Sequence, residues 1–149
     1  MRALLQRVTA ASVTVDDEVV GAIGGGLCIL LGVGPHDDEA VARKLWDKIC
    51  HLRIFDDGDG HMNLSLVDVG GEALIVSQFT LYANARRGRR PSFTEAAPPD
   101  LARDLYERFC KIAAEDVPAA TGIFAAEMQV SLVNDGPITV WLDTDVLFS

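Results

Sequence analysis

Leu27-Cys28-Ile29-Leu30-Leu31-Gly32-Val33 is an unbroken apolar run with glycine on both sides, Gly24-Gly25-Gly26 before it and Gly34 after. A run without polar alternation predicts a central strand buried on both faces. Toward the N-terminus, residues 2–15 and 19–23 are rich in β-branched and apolar residues, and Asp16-Asp17 between them offers a turn, so two further strands are expected. On the other side, Pro35 precedes Asp37, Asp38 and Glu39, which suit a helix N-terminus. Val41, Leu45, Ile49 and Leu52 then form one apolar stripe. Residues 64–69, a Gly70-Gly71 turn and residues 73–81 read as a hairpin. Residues 83–98 are polar, basic and proline-containing, hence an exposed loop. Pro98-Pro99-Asp100 opens a second helix with Leu101, Leu105, Phe109 and Ile112 on its core face. Residues 122–133 and 138–142 read as the last strands, joined by Asn134-Asp135-Gly136-Pro137. The expected fold is α+β: one domain over residues 1–149, with a mainly antiparallel, barrel-like sheet covered by two helices.

A chain of 149 residues suits one domain and buries enough surface to need no disulfide or metal staple. Apolar residues make up 49% and charged residues 23%, which excludes disordered and low-complexity classes. No apolar stretch approaches the roughly 20 residues of a membrane span. Arg7 interrupts what would have to be the apolar core of a secretory signal, so a cytoplasmic protein is expected. Cys28, Cys50 and Cys110 are odd in number and form no CxxC pair, which points to buried thiols. His36, His51 and His61 show no metal-ligand spacing, and no metal or cofactor is expected. The Gly24-Gly25-Gly26 segment lacks the lysine of a phosphate loop and reads as a turn. The formal net charge is −9, from 13 Lys and Arg against 22 Asp and Glu. Even so, Arg86, Arg87, Arg89 and Arg90 crowd one short loop.

Three segments carry candidate chemistry. Ser77-Gln78-Phe79-Thr80-Leu81 places polar groups at the end of an apolar strand, where each needs a hydrogen-bond partner. They form either a solvated rim or a pocket that holds a carbonyl. Asn134-Asp135-Gly136-Pro137-Ile138-Thr139 reads either as a hairpin turn or as a special backbone feature, because Pro137 fits poorly at the opening of a strand. The arginine loop is either a solvated charged face or a site whose planar forks suit bidentate contacts to phosphate or an RNA backbone.

Taken together, SQFTL at 77–81 and NDGPIT at 134–139 resemble the two signature segments of the D-aminoacyl-tRNA deacylase family. Further similarity runs through residues 6–15, 31–33, 53–55, 62–65, 89–93 and 128–137. The resemblance implies a homodimer that hydrolyses the ester linking a D-amino acid to the terminal ribose of tRNA. It further implies a pocket formed by Ser77, Gln78, Phe79 and Thr80, lined also by Phe124 and Met128. The Gly136-Pro137 bond would be cis and would enter the partner subunit's pocket, holding the substrate amino group and excluding L side chains. Arg86, Arg87, Arg89 and Arg90 would contact tRNA.

Ester hydrolysis needs an activated nucleophile and a place for developing negative charge. Thr80 is one candidate nucleophile, but no histidine lies in either segment to serve as its base. The alternative is assistance from the substrate's own 2′-hydroxyl, with Gln78 and the backbone N–H groups of Phe79 and Thr80 polarising the carbonyl. A filter that works by steric exclusion cannot reject glycine, so glycyl-tRNA, including glycine mischarged on tRNA-Ala, is an expected substrate. The rival classes are a small-molecule hydrolase, which leaves the arginines idle, and a non-catalytic RNA-binding module, which leaves SQFT unexplained.

Overall fold

The computed structural model describes residues 1–149. Strand β1 (Arg2–Val15) pairs antiparallel with β2 (Glu18–Ile23) through its C-terminal half and with β3 (Gly26–Gly32) through its N-terminal half. Its other edge carries β8 (Gln129–Asp143) along nearly its whole length. From β3 the sheet continues to β6 (Glu72–Ser77) and β7 (Ala119–Thr121), giving the order β2-β1-β3-β6-β7. The two ends of that order approach each other. A Cβ at Gly21 would stand 2.4 Å from the Thr121 carbonyl oxygen, so only glycine lets β2 come so near β7. The sheet is thereby a nearly closed barrel.

β3 separates two apolar clusters, as its unbroken apolar run predicts. Leu27, Ile29 and Leu31 face a large cluster shared with helices α1 (Glu39–His51) and α2 (Pro99–Ala114). Cys28 faces a smaller cluster with Val8, Ala11, Val13, Ile23, Leu74 and Val76. Asp38 caps α1 by accepting a hydrogen bond from the Val41 N–H at 2.9 Å, so the acidic start of the helix is where its sequence places it. Proline opens α2 at its first position, and Phe109 meets Trp46 of α1 edge to face at 5.9 Å.

Three expectations are corrected. The sheet is mixed, because β6 runs parallel to both β3 and β7. The reason lies in the connections: α1 separates β3 from β6 and α2 separates β6 from β7, and a helical crossover returns the chain in the same direction. Residues 64–81 are not a hairpin. Leu64 ends β5 (Met62–Leu64), which pairs only with β4 (Phe55–Asp56). Third, the final strands are not a hairpin either, for β8 is continuous and Asn134–Pro137 is a bulge within it. Asn134 faces Val8 and Thr139 faces Gln6, so β8 carries more residues than β1 across that interval, and pairing resumes on both sides. A third helix, α3 (Thr144–Leu147), adds one short turn to the two expected. No helix is long and apolar enough to cross a membrane.

All three cysteines are free, and burial pushes their thiols up, Cys28 and Cys50 to about 11 and Cys110 to about 12. The raised values leave little thiolate at pH 8. A neutral thiol reagent at pH 8 should therefore label the native chain slowly and the urea-unfolded chain rapidly. Fast labelling of native protein would contradict this packing.

Candidate active site

β6 delivers the SQFT segment to the rim of the large cluster. Its last sheet contact is the Gln78 N–H donating to the Leu31 carbonyl at 2.8 Å, after which residues Phe79–Tyr82 turn into a short 3₁₀ helix. No side chain caps this turn. The first N–H groups of a helical turn have no acceptor within it, so those of Phe79 and Thr80 are free for a ligand. Arg2 fixes the far end of the turn: its guanidinium donates to the Leu81 carbonyl at 3.0 Å and to Asp143 Oδ2 at 3.2 Å, and lies 4.3 Å over the Tyr82 ring. Burial raises the Tyr82 hydroxyl above the ordinary tyrosine range, so it stays neutral.

Beside this turn opens a pocket of about 590 Å³. Ser77, Gln78, Phe79, Phe124 and Met128, all expected from the sequence, line it together. Its remaining walls are mostly apolar, and none of its lining residues is ionisable. Thr80 lies outside the lining; it is exposed, and its hydroxyl accepts a hydrogen bond from the Gln78 amide. The other lining residues carried no role in the site from the sequence, Phe93 and Ala102 among them. Phe93 stands edge-on to Phe79 at 5.1 Å and closes the pocket on the side of the arginine loop. Ala102, in the first turn of α2, also forms part of the wall, and its only sequence signal is position near a helix N-terminus.

Gly136 and Pro137 do not line the pocket of their own chain. They project from the β8 bulge, exposed, with the peptide bond between them cis. The bulge is braced from both sides. Asn134 exchanges hydrogen bonds with the Ile138 backbone, accepting at 2.8 Å and donating at 3.2 Å. Arg7, only 7% exposed, donates from Nε to the Asp135 carbonyl at 2.9 Å and from one terminal nitrogen to the Ile54 carbonyl at 2.9 Å. Sequence reading gave Arg7 no part in the site. The available clue was a charged side chain in the middle of a strand, at Arg7.

Arg86, Arg87, Arg89 and Arg90 are exposed on a loop closed at its base by reciprocal backbone hydrogen bonds between Asn84 and Ser92, at 2.8 and 2.9 Å. The one histidine–cysteine–carboxylate grouping, Asp47, Cys50 and His51, lies at the end of α1 and shares no residue with the pocket. There His51 Nδ1 sits 2.9 Å from the Asp47 carbonyl of its own helix.

The family described as D-Tyr-tRNA(Tyr) deacylase matches residues 4–143 of this chain. The chain belongs to that family. Membership makes this deacylase a hydrolase of the ester bond in aminoacyl-tRNA. Proteins named D-aminoacyl-tRNA deacylase include one from Thermomicrobium roseum, 59% identical over 97% of this chain and 94% of its own. Another, from Thermotoga petrophila, is 55% identical over 99% of this chain and all of its own. Among solved structures, one described as c-Myc DNA Unwinding Element Binding Protein superposes with a TM-score of 0.91 at 40% identity, over 96% of this chain and 98% of that one. A probable eukaryotic D-amino acid tRNA deacylase shares the fold, with a TM-score of 0.82 at 20% identity over 95% of this chain and 97% of that one.

The backbone at Gly136 has φ of +141°, and a Cβ there would stand 2.8 Å from Ile138 Cγ1 and 2.9 Å from the Ile138 nitrogen. Gly136→Ala in this deacylase should therefore cost about 1–3 kcal/mol of stability, read as a fall in urea midpoint at unchanged slope. A variant as stable as wild type would show that the bulge is not held as described.

Proposed function

We propose that the chain, residues 1–149 acting as one unit, hydrolyses D-aminoacyl-tRNA to free D-amino acid and tRNA, a chiral proofreading step for translation in the cytoplasm. The observation that carries this reading is the pocket itself. It is apolar enough for an amino-acid side chain, and its polar groups, Ser77 and Gln78, adjoin the free N–H groups of Phe79 and Thr80. Those N–H groups suit the oxygen of an ester carbonyl as charge develops on it.

The pocket offers no carboxylate for a substrate ammonium group. Gly136 and Pro137, exposed and braced yet outside their own pocket, supply carbonyl acceptors if a second copy presents them. We therefore read the active form as a homodimer in which each pocket receives Gly136 and Pro137 of the partner subunit. There the carbonyls hold the amino group and leave no space for an L side chain.

Water adds to the ester carbonyl carbon, and the ribose oxygen departs with a proton. No lining residue can act as a general base, so the 2′-hydroxyl of the terminal ribose positions the water. Holding water and ester together contributes about 7–11 kcal/mol of barrier lowering in favourable cases. Thr80 steadies Gln78 in this scheme and is not the nucleophile. The exposed loop of Arg86, Arg87, Arg89 and Arg90 takes the tRNA backbone.

Purified protein without added metal should deacylate D-tyrosyl-tRNA, leave L-tyrosyl-tRNA intact, and attack glycyl-tRNA at high enzyme concentration. Equal loss of the D and L esters would remove the steric filter, and tRNA binding without hydrolysis would favour the RNA-binding module. With no ionisable group in the pocket, log kcat should rise with pH between 6 and 8 without the bell shape of an acid–base pair. Thr80→Ala should retain turnover; complete loss of turnover with substrate still bound would restore Thr80 as nucleophile.

A further inference from the structure

The arginines divide by what they touch. Arg2, Arg7, Arg43, Arg53 and Arg108 each pair with a carboxylate or donate to a carbonyl. The four loop arginines and Arg103 have no ion pair, and their side chains donate no hydrogen bond within the chain. Arg103 stands apart from the loop, near the start of α2 beside the pocket residue Ala102. Asp100 lies one turn before it and Glu107 one turn after, yet it forms an ion pair with neither, while neighbouring Asp104 pairs with Arg108 at 3.6 Å. Its guanidinium instead lies 5.1 Å over the ring of Phe124, a wall of the pocket.

An aromatic face restrains a guanidinium beside it, and Arg103 is exposed, so its N–H groups stay open to a ligand next to the pocket wall Phe124. Such a group is prearranged for a phosphate. In aminoacyl-tRNA the ester is on the last ribose, and the first phosphate met on leaving the pocket is the one joining the last two nucleotides. We propose that Arg103 binds this terminal internucleotide phosphate and so fixes the depth at which the acceptor end enters. The proposal rests on the deacylase reading above and adds a residue to it. The loop arginines, beyond the Asn84–Ser92 closure, are left to phosphates farther along the RNA.

The test compares two small substrates, D-tyrosyl-adenosine and the D-tyrosyl ester of the dinucleotide CpA, which differ by the phosphate and its nucleoside. Wild type should prefer the dinucleotide, and Arg103→Gln should reduce that preference about tenfold, with the change in KM rather than kcat. The slope of log KM against log salt for the dinucleotide should flatten by ~0.7 in Arg103→Gln and keep its wild-type value in Arg103→Lys. An Arg103→Gln variant that keeps the preference and slope overturns the assignment. So does one that lowers melting temperature and slows both substrates equally, since that marks a packing role against Phe124. Wild type hydrolysing both esters without preference overturns Arg103 alone, whereas wild type hydrolysing neither overturns the deacylase reading with it.

Discussion

A strand has two hydrogen-bonding edges, and β1 has three neighbours. It meets that constraint by giving one edge to β8 and dividing the other, β3 taking residues 2–8 and β2 taking 11–15. The division falls where the β1–β8 ladder also shifts register, around Gln6–Ala10. Arg7 sits at this junction, buried, with its guanidinium donating to the Asp135 carbonyl in the β8 bulge and to the Ile54 carbonyl just before β4. The same junction lets β1 carry both β2 and β3 and lies opposite the bulge that presents Gly136 and Pro137. An apolar residue at position 7 would strand the Asp135 and Ile54 carbonyls, at a cost of about 1–3 kcal/mol for each that water cannot reach.

The pocket opens where β3 and β6 end, lined by residues of both apolar clusters and by no group that titrates. β3 and β6 run parallel and end together, so the chain leaves the sheet beside Leu31 and turns at once into Phe79–Tyr82. A strand end followed by an uncapped turn exposes backbone N–H groups at a fixed point. Backbone donors carry no net charge, require no protonation state and are lost only by substitution to proline. Around them stand Phe79, Phe93, Phe124 and Met128, which shape the space without adding a group that titrates.

Much of this was legible in the residues. The apolar run of β3 identified a strand buried on both faces, and the stripes of α1 and α2 placed both helices on the core. The polar segment ending β6 did mark the pocket. What escaped was pairing. A strand's own pattern records how many of its faces are buried, not which strand lies beside it or in what direction. The parallel order of β3 and β6 was implicit in the helix between them, but Gly70-Gly71 gave a stronger local suggestion of a hairpin. Asn134–Pro137 has the local composition of a tight turn, and only continuous pairing with β1 shows it to be a bulge. Arg7 and Phe93 escaped because their roles depend on contacts far away in sequence.

The charge distribution has a consequence for motion before contact. A net charge of −9 with four arginines gathered at one exposed loop sets a positive patch on an anionic molecule. Near a polyanion, the acidic body is pushed away while the arginine loop is drawn in, so the protein feels a torque as well as a force. Encounters are sorted by orientation: those that begin with the wrong face forward are turned or repelled. An attraction confined to one side and opposed by the rest acts on the orientation of an encounter more than on its strength.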